Sequence, residues 1–103
     1  MIRLTVMYPD VEGGYFDMDY YQNRHMALVK ERCGSAVKDC SIERGIGGGP
    51  GGASPTYRVI ARLTFDSMED FETNVAPHDP EFIADVPNFT NIKPVFQINE
   101  VIL

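Results

Sequence analysis

Phe16-Asp17-Met18-Asp19-Tyr20-Tyr21-Gln22-Asn23-Arg24-His25-Met26-Ala27-Leu28-Val29-Lys30-Glu31-Arg32-Cys33-Gly34 is the best-marked stretch of this chain. Asp17 can accept hydrogen bonds from the free amides of a first helical turn. Phe16 just before it and Tyr21 four positions past the cap have the spacing of a hydrophobic staple. Met18, Tyr21, His25, Leu28, Val29 and Arg32 recur at helical spacing, so one face runs Met-Tyr-His-Leu-Val. Lys30 and Arg32 fall in the last turn, and Gly34 can take the left-handed closing position. The stretch reads as one amphipathic helix.

Working outward, Ile2, Leu4, Val6 and Tyr8 alternate with Arg3, Thr5 and Met7, which is the period of a strand stopped by Pro9. Downstream, Cys40 to Ile46 reads as a modest second strand. Residues 45–55 hold six of the nine glycines and form a connection. Tyr57, Val59, Ala61, Leu63 and Phe65 then alternate with Arg58, Ile60, Arg62 and Thr64 in a clear third strand. Ser67-Met68-Glu69-Asp70 has the form of a capping box opening a helix that stops before Pro77. Asp79-Pro80 is a second cap-plus-Pro start for a short helix ending before Pro87. Pro94 leads into a last strand, Val95 to Ile102.

The order β-α-β-β-α-(α)-β is the split βαβ arrangement of a ferredoxin-like α+β domain, with four antiparallel strands carrying helices on one face. The other face collects Arg, Thr, Met and Ile, too apolar to be purely solvated, and a second copy of the chain is the expected cover. With 103 residues, no linker and no internal repeat, residues 1–103 read as one domain.

The composition narrows the function classes. Nine Lys plus Arg against fifteen Asp plus Glu give a net charge of −6, which opposes a nucleic acid or an anionic membrane surface. No stretch approaches the roughly 20 apolar residues of a spanning helix. The apolar start lacks a cleavage site, so a cytoplasmic location is expected, with Cys33 and Cys40 as free thiols. Gly47, Gly49 and Gly52 form a literal G-x-G-x-x-G, but a strand rather than a helix follows, so no pyrophosphate site is expected. None of Ser35, Ser41, Ser54 and Ser67 lies in a nucleophile elbow. Cys33, at a helix C-terminus, should have a raised rather than lowered pKa. Two histidines 53 positions apart, even with Asp85 or Glu72, make no metal spacing.

Phe16-Asp17-x-x-Tyr20-Tyr21-x-x-x-His25-Met26-x-Leu28 resembles the helix motif of the EthD family, named after an ethyl tert-butyl ether degradation protein. Leu63-Thr64-Phe65-Asp66-Ser67-Met68-Glu69-Asp70-Phe71 is similar to the family's third strand and second helix. Asp85-Val86-Pro87-Asn88-Phe89-Thr90-Asn91 and the closing strand are similar to its C-terminal third. The resemblance implies a dimeric α/β barrel with no obligatory cofactor, in a superfamily that includes monooxygenases, isomerases and cyclases. The Gly-rich insert departs from the pattern and alters the rim of any pocket. The family comparison also puts His78 near a pocket mouth.

His25 is the main candidate for chemistry, as a general acid or base on the inward helix face, because an imidazole populates both protonation states near neutral pH. The alternative is a core histidine satisfied by a neighbour. Tyr20 and Tyr21 lie on adjacent faces, so only one can share a pocket with His25, and spacing favours Tyr21. An apolar pocket lined by Tyr8, Tyr21, Phe71, Phe82 and Phe89 is expected to take a small apolar or aromatic molecule. Two functions compete: a cofactor-independent proton-transfer enzyme of isomerase, cyclase or dehydratase type, and a non-catalytic binding or accessory module supporting a catabolic oxidation system. Either would be a homodimer.

Overall fold

The computed structural model describes residues 1–103. Four strands, β1 (Ile2–Pro9), β2 (Asp39–Arg44), β3 (Tyr57–Phe65) and β4 (Val95–Glu100), form one antiparallel sheet in the order β2-β3-β1-β4. The central strand β1 pairs Leu4 with Leu63 and Val6 with Ala61 on one side, and Leu4 with Ile98 and Val6 with Phe96 on the other. Because directly opposed residues share a face, the alternation in each strand adds up to one apolar face. On β2, Cys40 and Ile42 join it opposite Leu63 and Ala61. The fold is the α+β arrangement expected from the element order.

The helices pack on that apolar face. The first is α1 (Met18–Tyr20), a π-helical turn over Tyr21–His25, and α2 (Met26–Cys33) in continuous succession. Asp17 caps it by accepting from the Tyr20 amide at 3.1 Å, and the rings of Phe16 and Tyr21 meet at 4.9 Å as a staple. Gly34 closes it with φ 58°. The periodicity marked the start and the end, but not the π turn inside.

Ser67 caps α3 (Met68–Asn74), accepting from the Asp70 amide at 3.1 Å. A 3₁₀ turn over Ala76–His78 leads into α4 (Asp79–Asp85), and a second over Val86–Asn88 follows it. Asp79 is not a cap, as the sequence had indicated, but the first residue of α4 beside Pro80. The preceding 3₁₀ turn already supplies helical geometry at His78, so no extended capping residue is needed. Two strand ends also differ from expectation. β2 spans Asp39–Arg44, since Gly45 leaves the ladder after its amide bonds Arg58 O, and β4 stops at Glu100, leaving Ile102 83% exposed.

The core lies between the helices and β1–β3, where Tyr8, Tyr21, Val59, Phe65, Val75 and Phe89 are almost wholly buried. The opposite sheet face carries Arg3, Thr5, Met7, Ile60, Arg62 and Thr64, the mixture anticipated. Arg58 ties the sheet end to the loop after β1: its Nε donates to Asp10 Oδ1 at 3.0 Å, its Nη2 to Val11 O at 3.2 Å, and its Nη1 to Gly14 O. That clamp holds Phe16 and Asp17 where the helix begins.

Candidate functional site

A cavity of about 470 Å³ lies between the sheet and the helices. Its floor is Leu4, Val6, Ala61 and Leu63 from β1 and β3, and its roof comes from the first helix, α3 and α4. It opens toward the edge strand β4, where Phe96 and Ile98 border it and remain 53% and 39% exposed. The opening exists because the helices cover β1–β3 but not β4. Five of the expected residues line it together: Tyr8, Tyr21, His25, Phe71 and Phe82.

His25 is the central polar group. It is 6% exposed, and its Nδ1 lies 2.9 Å from Asp85 Oδ2. Asp85 Oδ1 in turn accepts from the Tyr20 hydroxyl at 2.7 Å and from Asn88 Nδ2 at 2.9 Å. Burial pushes the Asp85 carboxyl up, but the hydrogen bonds from Asn88, Tyr20 and His25 outweigh it and hold the group below the ordinary carboxylate range. An ionised carboxylate only accepts, so Nδ1 carries a proton, and in a neutral ring the lone pair is then on Nε2. Neither Asp85 nor Tyr20 borders the cavity; their hydrogen bonds reach it only through His25.

Tyr21 supports the imidazole from the side, with ring centroids 5.3 Å apart and planes 13° off parallel. Its ring meets that of Tyr8 edge-on at 5.7 Å. Burial pushes the Tyr8 hydroxyl up to about 12, a rise the Tyr21 contact partly offsets. Tyr21 itself is pushed up by burial and then by Tyr8. Both phenols are therefore neutral at physiological pH, and Tyr21 can orient the imidazole or donate a hydrogen bond but carries no charge.

Two expected pocket residues stand elsewhere. Phe89 is fully buried behind the cavity, its ring 4.7 Å from His25, 4.9 Å from Tyr21 and 5.3 Å from Phe16. It backs the site because the 3₁₀ turn before it folds the chain inward, and the Asp17 amide bonds its carbonyl at 2.7 Å. His78 sits on the 3₁₀ turn before α4, half-buried, 6.1 Å from Phe82, and outside the cavity lining.

The sequence reading passed over three residues. Asp85 was considered only as a possible metal ligand, and Tyr20 was set aside in favour of Tyr21. In an α-helix, Tyr20 and His25 stand about 140° apart at about 100° per residue. The π turn, closed by the Met26 amide to Tyr21 O, adds a residue to the turn and reduces that angle. Tyr20 and Tyr21 thus both serve His25, one through Asp85 and one by stacking. Asp79, the third, lines the cavity. No group of three or more His, Cys, Asp and Glu side chains comes together to hold a metal ion. Cys33 and Cys40 are unpaired, and burial, then the nearby Asp79, pushes the Cys33 thiol up to about 11.

The EthD domain family model matches residues 16–93, from the staple phenylalanine to the loop before β4. An EthD-like protein of Ralstonia eutropha shares 41% identity, with 99% of this chain and 92% of that one covered at a TM-score of 0.90. An ethyl tert-butyl ether degradation family protein of Bacillus halodurans superposes at 0.67 with 18% identity, covering 99% of each chain. A ferredoxin-like protein of Thermobifida fusca, described as dimeric and of unknown function, superposes at 0.60 with 15% identity over 97% of this chain and 90% of its own. No curated protein matches. The matched segment carries both halves of the His25–Asp85 pair as well as Tyr20 and Phe89, and the chain belongs to the EthD family.

Proposed function

We propose that this protein binds a small apolar or aromatic molecule in the cavity and moves a proton on it with His25, in a cofactor-independent reaction of the isomerisation, cyclisation or dehydration type. One observation carries the reading: a buried imidazole, held at Nδ1 by a carboxylate, borders an otherwise almost wholly apolar cavity. A core histidine needs only a satisfied ring. Here Asp85, Tyr20 and Asn88 fix one nitrogen, which leaves Nε2 to take a proton from a ligand hydroxyl or C–H acid. The apolar walls exclude water and strengthen that interaction.

Assembly as a homodimer belongs to the same proposal. Phe96 and Ile98 are exposed on edge strand β4 at the cavity mouth, and Val95 is exposed on the other face of the same strand, an arrangement soluble proteins ordinarily cover. The dimeric description of the Thermobifida fusca relative supports it. A cytoplasmic location suits the unpaired thiols of Cys33 and Cys40.

Thermal melts of wild type and His25→Ala with a panel of phenols, lactones and ketones test the function. A ligand of the proposed class raises the wild-type Tm and raises that of the variant less, and incubation with it gives a product only with wild type. Equal ligand shifts in both proteins, with no turnover, would return His25 to a packing role and leave a binding module.

A further inference from the structure

His25 is not the only ionisable side chain on the cavity wall. Asp79, at the start of α4, lines it as well. The two carboxylates near the site are in opposite situations. Asp85 accepts three hydrogen bonds. Asp79 is half-buried, it caps nothing, and no side chain or amide of the chain donates to its carboxylate. Burial raises its pKa, and the adjacent His78 offsets that only in part.

The rest of the lining offers nothing to compensate it. No Lys or Arg borders the cavity. Gln97 contributes at the rim, but it pairs with Thr5 on the opposite sheet face, and its Nε2 donates to Asn99 Oδ1 at 2.7 Å. The hydroxyls of Tyr8 and Tyr21 belong to phenols whose pKa burial raises, so they carry no charge. Beside these phenols and the rim glutamine, the polar side chains of the lining are His25 on the first helix and Asp79 on α4, and the remaining residues are apolar.

We propose that Asp79 is the specificity-determining residue of this cavity: it accepts a hydrogen bond from a hydroxyl or N–H of an uncharged apolar ligand whose other polar end meets His25, and it excludes carboxylates and other anions. The inference rests on the cavity being the ligand site and adds the ligand class, a neutral ring system with a donor group remote from the reacting end. Such a donor recovers the hydrogen bond that Asp79 lacks within the chain. An anion would enter a water-poor space beside an existing negative charge with no cation to pair it. A role limited to the first turn of α4, where an acidic side chain favours the helix dipole, would affect stability and leave ligand choice unchanged.

The test is binding of 2-naphthol, 2,6- and 2,7-dihydroxynaphthalene and 6-hydroxy-2-naphthoate, followed by calorimetry, to wild type, Asp79→Asn and Asp79→Leu, with melts to confirm folding. The proposal expects at least one dihydroxy compound to bind wild type about tenfold tighter than 2-naphthol, about what one net hydrogen bond provides. That advantage should vanish in Asp79→Leu. Asp79→Asn, which keeps an acceptor and removes the charge, should retain part of it and should bind the naphthoate several-fold tighter than wild type does. An advantage that persists in Asp79→Leu, or a naphthoate that binds wild type as tightly as 2-naphthol, would overturn the assignment while leaving the cavity reading intact. Failure of all four compounds to bind wild type would overturn both.

Discussion

At the residue scale, the site is a chain of hydrogen bonds ending on one imidazole. The depressed Asp85 carboxyl has a direct consequence for stability. Because its folded pKa lies below its unfolded one, its contribution is complete above pH about 4, the ordinary aspartate value, and is lost as pH falls through the depressed folded value. Tyr20→Phe removes one of the donors that hold it down, so the folded pKa moves back toward the unfolded one and the acid limb of a stability–pH curve should be shallower and end at higher pH in the variant, as read by chemical denaturation across pH 2 to about 5. Asp85→Asn should cut turnover or ligand affinity far more than it changes Tm, since an amide can donate to Nδ1 and permit the wrong tautomer. ¹⁵N chemical shifts of the His25 ring would show the change directly. Phe89→Ala should cost about 3–5 kcal/mol, as for a fully buried phenylalanine, and should loosen both Tyr21 and His25. A pocket-lining phenylalanine would instead have cost little stability and altered ligand affinity.

At the element scale, the π turn is the feature that organises the first helix. It lets a helix anchored by Asp17 and Phe16 at one end, and by Val29 and Cys33 against the core at the other, present Tyr20, Tyr21 and His25 to one region. Deleting Asn23, exposed within the turn, should restore a regular α-helix and keep far-UV ellipticity. It should also swing the preceding turn away from its partners, lowering Tm and abolishing the Tyr20–Asp85 bond. Capping in α3 is a simpler matter. Ser67→Ala should cost about 1 kcal/mol in urea unfolding, with an unchanged slope, because the Asp70 amide loses its acceptor. Both caps, the staple and the third strand were legible in the sequence because each depends on neighbours within a few positions. The start of α4 was misread because Asp-Pro fits a cap and a first turn equally well, and only the preceding 3₁₀ turn decides between them.

At the scale of the whole molecule, the chain covers three of its four strands. Edge strand β4 keeps Phe96 and Ile98 half open at the mouth of an apolar cavity. Light scattering after gel filtration should give twice the 11.6 kDa chain mass at micromolar concentration; a single 11.6 kDa species would exclude the homodimer. The overall charge of −6 and the lack of Lys or Arg on the cavity wall act in the same direction, disfavouring anionic partners of any size.

The order of elements, the apolar sheet face, the inward position of His25 and the family itself could all be read from the sequence, because alternation, helical spacing and caps are local physical requirements. Tertiary structure alone decided what His25 touches. Its partner Asp85 is 60 residues away in the chain and reaches it only because α4 packs beside the first helix. Tyr20 joins them through a turn that ordinary helical spacing does not foresee. Phe89 went to the core rather than the cavity, and Asp79 to the cavity rather than a cap, for the same reason: an aromatic ring or a carboxylate takes its role from the surfaces that meet around it, and those surfaces come from distant parts of the chain.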